Sequence, residues 1–198
     1  MDWDRVNIWT NTLYTLIHSL QLAKSTNFGD LETLHEHIIN AEEWTPKECS
    51  YNSVLLDEPF GRMRIRFRRD PNKYFPLISE QLVKMLIQDL TVIFDDMMAE
   101  SLRERQINVP IFPQSKIERL STFLDRGQYT WALHGCLELV AIRNILTHSS
   151  SRWNEKTLLI VKNFVTPLPK VGDKLVIGIP MLFRYRKAMR TFLNETKP

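Results

Sequence analysis

Residues Tyr129 to His148 form the most apolar helical run of the chain, with Leu133, Leu137 and Val140 on one side and Leu139, Ile142, Ile145 and Leu146 on the other. A helix that is apolar on both sides needs neighbours on both sides, so the remaining elements must be built around it. Toward its end the pattern changes. On an ideal helix, with Leu133 at zero, Leu137 falls at about 40°, Val140 at about 340°, Arg143 at about 280°, Asn144 at about 20°, Thr147 at about 320° and His148 at about 60°. The arc that begins with leucine and valine therefore ends with Arg143, Asn144, Thr147 and His148. Such a helix is expected to be buried along its body and to open onto a pocket or interface at its end.

Other segments supply the neighbours. Val6, Trp9, Leu13, Leu16, Ile17 and Leu20 recur at spacings of three and four and predict a helix over 6–23; Leu31, Leu34, Ile38 and Ile39 predict a second. Residues 46–60 lack a steady period and read as loop. From Gly61 to Arg69 arginines alternate with Met63, Ile65 and Phe67, the pattern of a short extended segment. Asp70-Pro71-Asn72 is a turn, and the run from Leu77 to Met97 predicts a long helix over 76–105, broken by Pro110 and Pro113. Ser115 with Glu118 reads as a capping box for a short helix to Leu124, and Gly127 as a separator before the next one. After Ser149 to Lys156, which are polar, Leu158 to Phe164 are apolar; Val171 to Ile179 read as a turn and short strand, and Pro180 can start a last helix. The expected fold is an all-α helical bundle with a short β hairpin or extended segments, in one domain over 1–198.

Composition narrows the class. Hydrophobic residues are 43% and charged residues 25%, which suits a folded globular chain and excludes the disordered regime. The net charge of +3 permits a polyanionic partner without requiring one. Cys49 and Cys136 form no Cys-x-x-Cys pair and Cys136 sits in the apolar helix, which points to a reducing, cytoplasmic setting. No segment reaches the roughly 18 to 20 apolar residues that cross a bilayer, and Met1-Asp2-Trp3-Asp4 is unlike a secretory leader, so no membrane is expected.

Burying an arginine costs several kcal/mol, roughly, unless it is paired. An acidic side chain from another element can compensate Arg143, and so can a phosphate group. The histidine has two readings as well, since His148 near a helix C-terminus also interacts favourably with the dipole. Arg143 presents a fixed bidentate fork to phosphate oxygens, and the His148 imidazole can take or give a proton.

The run Arg143-Asn144-Ile145-Leu146-Thr147-His148 resembles the motif of the HEPN superfamily: an arginine, a small polar residue, then a histidine after a short gap at a helix end. The apolar lead-in Leu139-Val140-Ala141-Ile142, the polar run from Ser149 to Glu155 and the turn Val171-Gly172-Asp173 add to the resemblance, which spans the motif region 129–177. It implies a helical bundle pairing as a two-fold homodimer with a composite site, and metal-independent RNA cleavage by Arg143 and His148, oriented by Asn144. Products would be a 2′,3′-cyclic phosphate and a 5′-hydroxyl. It further implies a toxin or antiviral effector held in check by a partner such as an antitoxin. The alternative it leaves open is a catalytically silent module that pairs with a nucleotidyltransferase-type protein.

Arg62, Arg64, Arg66, Arg68 and Arg69 fit an RNA backbone contact, or equally an edge strand protected by like charge. Arg152 and Trp153, just beyond His148, are further RNA-binding candidates, Trp153 as a base platform or as a core anchor. Arg184, Arg186, Lys187 and Arg190 in the last helix could add a phosphate contact. His35 with His37 and Asp95 with Asp96 lack metal-ligand spacing, and the six glycines form no nucleotide loop, so neither metal nor cofactor is expected.

Overall fold

The computed structural model describes residues 2–25 and 75–197. The helix expected at 31–39, the loop at 46–60 and the arginine segment 61–69 lie outside the described residues. Backbone contacts divide the chain into two units, residues 1–17 with 78–198 and residues 18–77. The described residues form six α-helices: α1 (Trp3–Ser25), α2 (Phe75–Glu104), α3 (Pro113–Leu120), α4 (Arg126–His148), α5 (Glu155–Val161) and α6 (Ile179–Glu195), with a 3-10 turn at Ser121–Phe123 after α3. Among the described residues there is no strand, and the fold that they form is all-α. None of these helices is long and apolar enough to cross a membrane.

The apolar period of each helix becomes one stripe of a common core in the first unit. Trp9 and Leu13 of α1, Phe94 and Met98 of α2, Leu139 and Ile142 of α4, and Met189 and Phe192 of α6 are all buried in it. The Trp9 indole N–H donates to the Leu86 carbonyl at 2.9 Å, so the largest fully buried side chain of α1 enters the core with its polar atom satisfied. Phe94 and Phe192 meet edge to face, with centroids 6.1 Å apart. At the margin, Arg5 pairs with Asp96 at 2.9 Å and Lys116 with Asp95 at 2.7 Å, so both aspartates are tied to cations from other helices.

Helix α4 packs most extensively on α6, then on α5 and α3. Its crossing with α6 is close. A β-carbon added at Gly135 would lie 2.6 Å from that of Ala188, so glycine is needed at that contact. One turn further along, the Tyr185 hydroxyl of α6 donates to Glu138 Oε1 at 2.7 Å and fastens the two helices by a polar bond.

Local starts and stops differ from expectation in three places. Helix α3 begins at Pro113, with Phe112 as an N-cap lacking a side-chain hydrogen bond, so Ser115 is not the cap; proline's fixed φ starts the helix three residues early and Glu118 instead accepts from Gln114. Gly127 does not separate helices. Asp125 accepts from its N–H at 2.9 Å and starts α4 at Arg126, the irregularity falling at Tyr129 with φ −116° and ψ 15°. The strand expected within 171–179 is reduced to one antiparallel bridge between Arg152 and Lys174, too little to form a hairpin.

Two measurements follow from the α4–α6 contact. Gly135→Ala should lower stability by about 1 kcal/mol, because overpacking of roughly 1–3 kcal/mol outweighs alanine's helix propensity of about 1 kcal/mol; an increased urea midpoint would contradict the close crossing. Burial, and then the neighbouring Glu138 carboxylate, push the Tyr185 phenol pKa well up. The folded state therefore keeps this proton where the unfolded chain, titrating near about 10, gives it up. Stability from Tyr185 is present below that pH and lost as pH rises above it. Urea midpoints from pH 8 to 11 should fall more steeply in the parent than in Tyr185→Phe.

Candidate functional site

Arg143, Asn144 and His148 project from the last turns of α4 into one cavity of about 420 Å³. The helix body before them is held by Leu139, Ile142 and Ile145, all buried, so the polar end is presented by an immobile base. Arg143 and Asn144 are half-buried, and Thr147 and His148 are exposed. Arg143 Nη1 donates to Asn144 Oδ1 at 3.3 Å, which draws the guanidinium against the amide. Among the described residues no carboxylate pairs with Arg143. The Thr147 hydroxyl turns back to the Arg143 carbonyl at 2.9 Å and so does not compete for the cavity.

The opposite walls come from segments that the periodicity left unremarked. Phe112 and Gln114 flank the start of α3, and Asn154, Lys156 and Thr157 form the first turn of α5. Asn154 Oδ1 accepts from the Thr157 N–H at 3.0 Å while Thr157 Oγ1 accepts from the Asn154 N–H at 3.3 Å, a reciprocal cap that fixes this wall. Asn154 also donates to the Ser149 hydroxyl, which joins α5 to the end of α4. Lys156, exposed and with no acidic partner among the described residues, brings a second cation to the cavity that carries Arg143. No helical spacing links 112, 143 and 156, so only the fold could reveal the grouping.

The remaining candidates are placed differently. Trp153 is only 8% exposed and belongs to the core, so it is an anchor and not a base platform; a ring with no free face cannot stack on a base. Arg152 is exposed, but its Nη1 donates to the Gly172 carbonyl at 2.7 Å, and it serves the loop. Arg62, Arg64, Arg66, Arg68 and Arg69 lie outside the described residues. In α6, Arg186 donates to Thr10 Oγ1 at 3.0 Å and Arg190 sits over the Trp3 ring at 5.6 Å, which commits both to α1.

Arg184 and Lys187 face elsewhere, with Trp131, His134, Glu138 and Phe164 around a second cavity of about 490 Å³ between α4 and α6. His134 stacks on Phe164 with centroids 4.3 Å apart, and burial pushes its imidazole pKa down. Among the described residues no three or more His, Cys, Asp or Glu side chains gather as a metal-binding group.

Because His148 is exposed and packs no core, His148→Ala should cost about 1 kcal/mol or less of stability. Chemical denaturation checks this, and a loss of several kcal/mol would mean that the imidazole is structural. No family model, curated protein or solved structure matches the chain, so its likeness to known proteins rests on the residues themselves.

Proposed function

We propose that the chain is a metal-independent endoribonuclease of HEPN type, acting in the cytoplasm as a toxin or antiviral effector, with Arg143, Asn144 and His148 as its site. The observation that carries this reading is the joint opening of Arg143 and His148 onto one cavity, with Arg143 unpaired by any carboxylate among the described residues. A half-buried guanidinium that no acid among the described residues neutralises favours an anion, and a phosphodiester supplies one in bidentate form.

In the proposed reaction the 2′-hydroxyl loses its proton to His148 as its oxygen attacks phosphorus. Arg143, steadied by Asn144, holds the non-bridging oxygens as charge builds on the phosphorane, and Lys156 adds to the field. The bond to the 5′-oxygen breaks and that oxygen takes a proton. The products are a 2′,3′-cyclic phosphate and a 5′-hydroxyl end. The motif of one subunit offers a single histidine, so base and acid are both supplied if His148 of the partner subunit faces the same cleft in a two-fold homodimer. RNA is the substrate, and a partner such as an antitoxin would act as its restraint, whereas a nucleotidyltransferase-type partner belongs to the silent-module alternative.

The test uses purified chain, RNA and EDTA. His148→Ala should lower the cleavage rate about 100-fold to 10,000-fold, and Arg143→Ala should approach the same loss, while RNA binding by the His148 variant stays near the parent value. Cleavage by folded His148→Ala at the parental rate would end this assignment. RNA binding without cleavage by the parent would favour the silent module instead.

A further inference from the structure

The cavity between α4 and α6 lies on the side of α4 turned away from Arg143 and His148. Trp131, His134 and Glu138 fall at about 160°, 100° and 140° on the helix, whereas Arg143, Asn144 and His148 fall between about 280° and 60°. Its volume, about 490 Å³, is within the size class of small-molecule sites. Three features of its lining specify a ligand. Trp131 is 46% exposed, an unusual position for an indole, and the stacked His134 and Phe164 rings, 9° from parallel, add a second flat surface. Arg184 and Lys187 are exposed at the rim, with no ion pair to either among the described residues; Lys187 lies 5.6 Å from the Trp131 ring centre. Glu138 accepts from Tyr185 through Oε1, which leaves Oε2 to accept from something else in the cavity.

We propose that this cavity binds a purine nucleoside phosphate, its base against Trp131, its N–H edge on Glu138 and its phosphate on Arg184 and Lys187. Aromatic faces accept any base by stacking. Two cations beside a ring suit a planar group that carries a phosphate, and Arg184 can grip it through two parallel N–H bonds. A carboxylate discriminates among bases because it only accepts. Guanine presents adjacent imino and amino donors, adenine presents an amino group, and uracil flanks its one N–H with two carbonyls that repel Glu138. This site does not depend on the ribonuclease reading, since it shares no residue with the Arg143 cavity.

Isothermal titration of the full chain with guanosine monophosphate, adenosine monophosphate, uridine monophosphate, guanosine and inorganic phosphate tests the proposal. One equivalent of guanosine monophosphate should bind most tightly, with uridine monophosphate, guanosine and inorganic phosphate each weaker by about tenfold or more. The double variant Arg184→Ala with Lys187→Ala should bring the nucleotide down to the affinity of guanosine, and Trp131→Ala should weaken every base-bearing ligand about tenfold. These three side chains are exposed, so the variants should fold as the parent does, which circular dichroism checks. Glu138→Gln, which still accepts from Tyr185, should erase the preference for guanine over uracil. Arg143→Ala should leave all these affinities unchanged. No saturable binding at roughly millimolar nucleotide would overturn the proposal. So would binding that is lost in Arg143→Ala yet kept in the double variant, because the nucleotide would then occupy the other cavity.

Discussion

The crossing of α4 and α6 at Gly135 and Ala188 sets the terms for the rest of the first unit. Two backbones this close leave no room for side chains between them, so the bulk on either side must be taken up by neighbours, and α4 is enclosed by α3, α5 and α6. Past the crossing, Leu139, Ile142 and Ile145 go under cover while Arg143 and Asn144 remain half-buried and His148 reaches solvent. The gradient from apolar to polar along one helix becomes a gradient from enclosed to open. Beside the crossing the same helix is lined by aromatic and cationic groups, so a single rod carries two chemically different cavities on its two sides.

Much of this was legible in the chain because helical period is a local property. The stripes of α1, α2 and α6, and the turn from apolar to polar at Arg143, follow from residues three and four apart, and Pro180 marked the start of α6. Boundaries were less legible where two local signals compete. Pro113 and Ser115 both announce a helix start, and the proline, which restricts the backbone itself, acts first. Trp153 was ambiguous because an aromatic just past a polar helix end fits both exposure and burial, and only its backbone bonds to the 172–173 turn settle which.

The cavities were the least legible part. Phe112 and Lys156 stand 31 and 13 residues from Arg143, at no interval that a helix or strand would repeat. Likewise the Tyr185–Glu138 bond joins residues 47 apart. These groupings arise from packing of whole helices, and a one-dimensional period carries no trace of it. What the sequence does offer is the complement: residues whose chemistry does not suit their helical position, such as Glu138 within an apolar run, need an account from elsewhere in the fold.

The loop after α4 has a consequence for how this chain can vary. Ser150 and Ser151 adopt left-handed backbone, φ 49° and 60°, a region costly for side chains branched at Cβ. They hold it because the loop is clasped from both sides: the Leu175 N–H bonds to the Ser151 carbonyl at 2.8 Å, the Gly172 N–H to the Trp153 carbonyl at 2.8 Å and the Trp153 N–H to the Asp173 carbonyl at 3.0 Å. Drift at positions 150 and 151 is thereby channelled toward glycine and asparagine, and closed to valine, isoleucine and threonine. Two small polar residues thus act as a filter on inheritance, because a lineage that breaches it must give up the bonds that tie this loop to residues 172–175.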